Sequence, residues 1–210
     1  MSAREPVVIS GAVEGLIDEA VLRSLIHHVG ARPGPIYGKH GKQFLQRNLA
    51  AYNRAAEAAP WVILVDLDHD ADCPPPFLAA WLPRPTGRLC FRVVVREIEA
   101  WLLADRDRLA PFLGVASHRI PPDPERLPDP KHALVELARH SSRREVRHEM
   151  TPRPGSGRAV GPAYNAMLIE FVLNRRRGWR PDVAAARSES LRRCVRCLSR
   201  LAQKASGQPS

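Results

Sequence analysis

One segment narrows the fold more than any other. Trp61-Val-Ile-Leu-Val65 is five apolar residues in a row, and it runs straight into Asp66-Leu67-Asp68. A strand with one wet face alternates apolar and polar residues, whereas a strand buried on both faces is apolar throughout. The segment therefore predicts a central strand of a parallel sheet. Parallel strands need crossover connections, usually helices. Residues Asp18–His28, with Ala20, Leu22, Leu25 and Ile26 on one face, predict one such helix, and Lys42–Glu57, with Phe44, Leu45, Leu49 and Tyr52, a second. Further strands are predicted at Val7–Ser10 (ended by Gly11), at Pro35–Tyr37 and at Leu89–Val95. A short helix is predicted from Pro74 through Trp81, and another over Glu97–Ala104. The order strand-helix, four times over, predicts an α/β fold: a mainly parallel sheet flanked by helices.

The rest of the chain reads differently. Residues 114–130 carry five prolines and predict a loop. Helices are predicted over Lys131–His140, Pro162–Asn174 and Val183–Gln203, with a Gly/Pro/Arg-rich loop over Thr151–Val160 and a frayed tail after Lys204. Charge divides the chain in the same sense. Residues 1–138 hold 16 Lys and Arg against 17 Asp and Glu, whereas residues 139–210 hold 16 against 5, so the last third alone carries +11. Two parts are expected: a core over residues 1–110, and a loop with a basic helical extension over 111–210. A neutral, acid-dotted part beside a basic part suits a polyanion held by one region and processed by the other.

No signal peptide is visible behind the polar Met1–Pro6, and no apolar run reaches the ~20 residues of a membrane span. The four cysteines form no recognisable disulfide framework, so reduced thiols and a cytoplasmic protein are expected. Cys194 and Cys197 lack the second ligand pair that a zinc site needs.

Two turns carry the candidate chemistry. Glu14-Gly15 follows the first strand, where an open sheet places its ligands. Asp66, Asp68, Asp70 and Asp72 crowd the turn after the central strand, and four acids in seven residues repel one another unless a cation compensates them. Magnesium binds through one or two carboxylates together with water and phosphate oxygens. If their strands are neighbours, Glu14 and the Asp66/Asp68 pair meet at one sheet edge. Tyr37-Gly-Lys-His-Gly-Lys42 precedes a helix and offers Lys39 and Lys42 to phosphate. It lacks the spacing of a nucleotide-binding P-loop.

In these motifs the chain resembles the Toprim family. The resemblance rests on the glutamate-glycine pair at Glu14-Gly15 and the D-x-D at Asp66–Asp68. It extends to small stand-alone Toprim-related proteins, akin to the overcoming-lysogenisation-defect nucleases and encoded near ABC-type ATPases. Arg96-Glu-Ile-Glu-Ala-Trp-Leu-Leu-Ala-Asp105 looks like their signature, and the match takes in Asp129-Pro-Lys131 and the helix at Ser188–Leu201. The resemblance implies a Rossmann-like Toprim core and a metal-dependent endonuclease. It gives Glu14 the role of general acid/base and Asp66 and Asp68 that of magnesium (or manganese) ligands, and Glu97 and Glu99 are further metal candidates because they follow the fourth strand. It also implies a lysine at the scissile phosphate, with Lys131 first choice and Lys39 second, an ATPase partner, and a part in anti-phage defence.

The basic third supplies the expected nucleic-acid contacts. Arg175, Arg176, Arg177 and Arg180 flank Trp179, so they could grip phosphates beside a ring able to stack on a base. DNA and RNA are equally open as substrates, and a homo-oligomer is left open. Two other functions compete: a non-catalytic docking or regulatory subunit of an ABC-type ATPase complex, and an enzyme of a small phosphorylated substrate.

Overall fold

The computed structural model describes residues 5–82 and 84–207. Most of the polar N-terminal stretch and the end of the tail lie outside that range. The described chain forms two compact units. One comprises residues up to Val94 together with those from Arg192 onward, and the other comprises Val95–Leu191.

The first unit is built on four parallel strands: β1 (Val8–Val13), β2 (Arg32–Gly38), β3 (Trp61–Asp66) and β4 (Leu89–Val94), in the order β2-β1-β3-β4. Helices α1 (Leu16–His28), α2 (Lys42–Ala58) and α3 (Pro74–Trp81) connect them. The order reverses direction after β2. Right-handed crossovers therefore place α1 on one face and α2 and α3 on the other. The central strand is as expected: Trp61 to Val65 are all buried. Prolines 33 and 35 sit in the edge strand β2, where a missing N–H is tolerated.

β1 corrects the sequence reading. The strand does not stop at Gly11 but runs on to Val13. Gly11 is there for closeness: a Cβ on it would lie 2.7 Å from Leu22 Cδ2 of α1 and 3.0 Å from the Val62 carbonyl of β3. Sheet and helix approach more tightly at this point than any side chain allows. The longer strand carries Glu14 to the carboxyl edge.

The cysteines correct a second expectation. Cys90 of β4 and Cys197 form a disulfide, with Cα atoms 6.1 Å apart and a sequence separation of 107. A bridge closing a loop of about that length stabilises by up to about 4–5 kcal/mol in the chain-entropy account. Cys194 is a buried free thiol, and burial pushes its pKa up to about 12, the opposite of a zinc ligand.

The second unit is helical: α4 (Ile98–Leu103), α5 (Arg106–Leu113), α6 (Pro130–Arg139), α7 (Arg144–Met150), α8 (Tyr164–Leu173), α9 (Pro181–Ala185) and the start of α10 (Glu189–Ala205). The helix expected over Val183–Gln203 is two helices. Ser188 breaks it by capping the second, its Oγ accepting from the Leu191 N–H at 3.1 Å. Helices α5 and α7 go beyond the sequence pattern. Pro111 disguises α5, which ends at Gly114 in the left-handed conformation, and α7 is mostly charged, burying only Val146 and Met150. No helix among the described residues is long and apolar enough to cross a membrane.

Candidate functional site

The parallel register pairs Ala12 of β1 with Ile63 of β3. Continued two residues further, it brings Glu14 level with Val65 and beside Asp66. The Asp66 backbone N–H donates to Glu14 Oε1 at 2.8 Å. Here the strand order reverses, and the helices on the two faces diverge from the ends of β1 and β3. In open α/β sheets such a crevice is where ligands bind.

The cluster holds more than the expected acids. Asp18, in the first turn of α1, is buried at 6% exposure, and its Oδ2 lies 2.9 Å from where a side chain on Gly15 would begin. Glycine at 15 leaves that carboxylate its room. Oδ1 of Asp18 and Oδ1 of Asp66 are both buried. Asp68 takes a left-handed backbone, φ 48°, a conformation aspartate tolerates better than most residues. Its side chain receives the Lys42 ammonium, which also donates to Asp70 Oδ2 at 2.8 Å.

Lys42 gets there through the loop that the sequence offered to phosphate. Gly38 (φ +89°) and Gly41 (φ +82°) turn the chain over the end of β1. The Gly41 N–H donates to the Glu14 carbonyl at 3.0 Å and the Lys39 N–H to Val13 at 2.9 Å. Lys42 then starts α2 facing the acids. Lys39 turns elsewhere, onto Glu19 Oε2 at 3.0 Å.

Burial dominates the electrostatics of Glu14. Desolvation lifts its pKa to about 7, and Asp18 and Asp68 add to the rise. The Asp66 N–H and the Lys42 charge oppose it. A carboxyl group that exchanges its proton near neutrality thus stands at the centre of the cluster. Beside Lys42 and Asp70 opens a cleft of about 620 Å³ between α2 and α3, walled by Gln43, Gln46, Phe77 and Trp81.

The chain matches no family model, no curated protein and no solved structure. Function is therefore read from the chemistry of the groups themselves.

The remaining sequence candidates lie in the helical unit. Glu97 accepts from the Lys131 backbone N–H at 2.9 Å and from its ammonium at 2.8 Å. Glu99, at 1% exposure, accepts from the Tyr164 hydroxyl at 3.1 Å, with Lys131 Nζ 3.8 Å away. Burial and the adjacent Glu99 carboxylate hold the Tyr164 hydroxyl firmly protonated. Asp129 caps α6 through the His132 N–H at 2.6 Å. Much of the Arg96–Asp105 segment is an anchor. The Trp101 indole donates to Ser190 Oγ at 2.7 Å, and Asp105, wholly buried, takes Arg180 through its backbone N–H at 2.9 Å, Nε at 3.0 Å and the terminal nitrogen at 2.6 Å. Trp179 is buried too, its indole donating to the Trp101 carbonyl at 2.9 Å, so its ring offers no stacking face. Arg175, Arg176 and Arg177 are exposed on the turn after α8, where Asn174 Oδ1 receives the backbone N–H groups of Arg176 and Arg177.

Sequence reasoning missed two members of the central cluster, Asp18 and the counter-ion role of Lys42. Asp18 was legible in principle, because a helix starting at Leu16 puts position 18 in its first turn, beside Glu14. Lys42 was not, because its reach depends on the turn at Gly38–Gly41.

Proposed function

We propose that this chain is a magnesium- or manganese-dependent nucleic-acid phosphodiesterase, an endonuclease of Toprim type, centred on Glu14, Asp66 and Asp68. One observation carries the reading: two acid-bearing turns meet at the carboxyl ends of adjacent parallel strands, with the Asp66 N–H on the Glu14 carboxylate at 2.8 Å. The donor set agrees with a hard cation. Glu14, Asp18, Asp66, Asp68 and Asp70 offer only oxygen, the donor that magnesium and manganese take. Among the described residues no three such groups are yet gathered as a ligand set, and the Lys42 ammonium is the cation between Asp68 and Asp70.

Asp66 and Asp68 are the residues that would hold the ion. Such an ion lowers the pKa of bound water and offsets charge on the phosphate. Glu14, with its pKa near 7, is suited to accept or return a proton at the reacting oxygen. Lys42 would trade an aspartate for a substrate phosphate. Trp81, half-buried in the adjoining cleft, provides a flat apolar group for a nucleotide ring. A catalytic role for Lys131 rests on the resemblance alone, as do the ATPase partner and the defence role, and a metal role for Glu97 or Glu99 rests on their place after β4. The test is cleavage of a panel of DNA, RNA and tRNA with and without divalent metal. Metal-dependent cutting that Asp68→Ala removes supports the reading, and cutting that survives it overturns it.

One observation favours a second reading, a non-catalytic docking subunit of an ATPase complex. Lys42 compensates Asp68 and Asp70 with no metal needed. A protein that binds no manganese yet associates with an ATPase would support it.

A further inference from the structure

A second, oppositely charged site lies in the same unit at the other end of the sheet. Between β4, from Leu89 to Arg92, and α10, from Arg193 to Lys204, is a cleft of about 300 Å³. Arg92, Arg193, Arg196, Arg200 and Lys204 line it, and no acidic residue does. Arg92 stands on β4 two residues from Cys90, so both point to the same face of the sheet. The Cys90–Cys197 disulfide ties that face to α10. Arg92 Nε is buried without a hydrogen-bond partner among the described residues. Burial lowers the Arg92 pKa, and the neighbouring charges of Arg193, Arg196 and Arg200 lower it further. Five cations around one cleft repel each other, and a half-buried guanidinium among them pays for desolvation without a carboxylate in return.

We propose that this cleft binds the sugar-phosphate backbone of a nucleic acid, as an anchoring site separate from the acidic cluster. The geometry favours a chain of phosphates over a single one. Arg193, Arg196, Arg200 and Lys204 follow one another at three- and four-residue steps on one face of α10, a row about 16 Å long. Duplex DNA carries a phosphate on each strand about every 3.4 Å of helix axis, so a row of this length can meet several of them and not one alone. Arginine's planar fork matches phosphate oxygens two at a time. An acidic protein partner fits less well. Protein interfaces gain most of their energy from buried aromatic and apolar anchors, and the apolar side chains on this cleft are Leu89, Leu201 and the disulfide. The proposal shares the nucleic-acid part of the function proposed above and is independent of its chemistry.

The test is binding of a 20-base-pair duplex and a 20-nucleotide single strand, followed by fluorescence anisotropy in EDTA across a salt series. The protein is wild type, the triple variant Arg193→Gln/Arg196→Gln/Arg200→Gln, and the matching triple lysine variant. These arginines are exposed on their helix, and an unchanged melting temperature shows that the fold is kept. The glutamine variant is expected to bind at least 10-fold more weakly, with the slope of log K against log salt shallower by about 2 to 3, near 0.9 for each lost phosphate contact. The lysine variant should recover most of both. Wild-type affinity and slope in the glutamine variant would overturn the site while leaving the nuclease reading intact. Binding without cleavage in magnesium would do the reverse. Inorganic phosphate competing at the oligonucleotide's own affinity would overturn the backbone assignment in favour of a small-anion site. Poly-glutamate competing equally well would overturn it in favour of an acidic protein surface.

Discussion

The two units treat their acids in opposite ways. In the helical unit three carboxylates each hold at least one fixed donor. Glu97 has the backbone and side chain of Lys131, Glu99 has Tyr164, and Asp105 has three nitrogens of Arg180. In the sheet unit the acids crowd one another. Glu14 shares its surroundings with Asp18, Asp66 and Asp68, and burial first, then the charges of Asp18 and Asp68, raise its pKa. Saturated acids stabilise a fold, whereas crowded acids cost stability and are kept where chemistry uses them. On the proposed reading, the same residue type marks structure in one unit and function in the other.

The largest expected effect tests the crowded side. Asp68→Ala is expected to lower metal-dependent cleavage by about 10²–10³-fold or more, the scale of losing one preorganised electrostatic contact. Its melting temperature in EDTA should change little, because the repulsion relieved at Glu14 is offset by the ion pair lost at Lys42, which keeps Asp70. A variant that melts much earlier yet cleaves normally would put Asp68 with the structural acids.

Next comes the saturated side. Arg180→Ala leaves Asp105 buried with only a backbone donor, which is expected to cost about 3 kcal/mol. At the usual 2–4 °C per kcal/mol for a chain this long, thermal melts should fall by roughly 6–12 °C. The salt dependence of nucleic-acid binding should be unchanged, since Arg180 is an internal partner. If melting held and the salt slope flattened, Arg180 would be a phosphate contact after all.

Glu14 sharpens the contrast through pH. Its folded pKa of about 7 lies above the ordinary 4.5. Below pH 4.5 both states are protonated and there is no penalty. Between 4.5 and 7 the unfolded chain ionises first, so stability falls as pH rises, and above 7 the full penalty remains. Glu14→Gln in EDTA is thus expected to stabilise by on the order of 3 kcal/mol at pH 8 and by nothing at pH 4. Equal gains at both pH values would remove the ionisation argument.

The smallest effect concerns the exposed arginine turn. Changing Arg175, Arg176 and Arg177 together to alanine should flatten the salt slope of nucleic-acid binding without moving the melting temperature. An unchanged slope would assign that turn another partner, and the docking reading would gain.

The sequence showed the part of this arrangement that follows from pattern. The apolar run at Trp61–Val65 dictates a central parallel strand, and acids placed directly after strands fall at the carboxyl edge whatever the details. What it hid depends on distances through space. Gly11 reads as a strand end, yet it permits a close approach within the strand. Asp105 and Arg180 are 75 residues apart, and nothing local marks them as a pair. Cys90 and Cys197 are likewise joined by the topology that brings β4 against α10, and no local spacing marks them as a pair.

The most direct test of the central claim is manganese binding, measured by calorimetry and electron paramagnetic resonance on the wild-type protein, on Asp66→Asn and on Glu97→Gln. The account predicts that wild type binds the ion and that Asp66→Asn loses it while melting at the wild-type temperature. Glu97→Gln should keep the ion and melt earlier. If wild type bound no manganese, or if Asp66→Asn bound it undiminished, the crowded acids at the ends of β1 and β3 would not be a metal site, and the phosphodiesterase reading would fall with them.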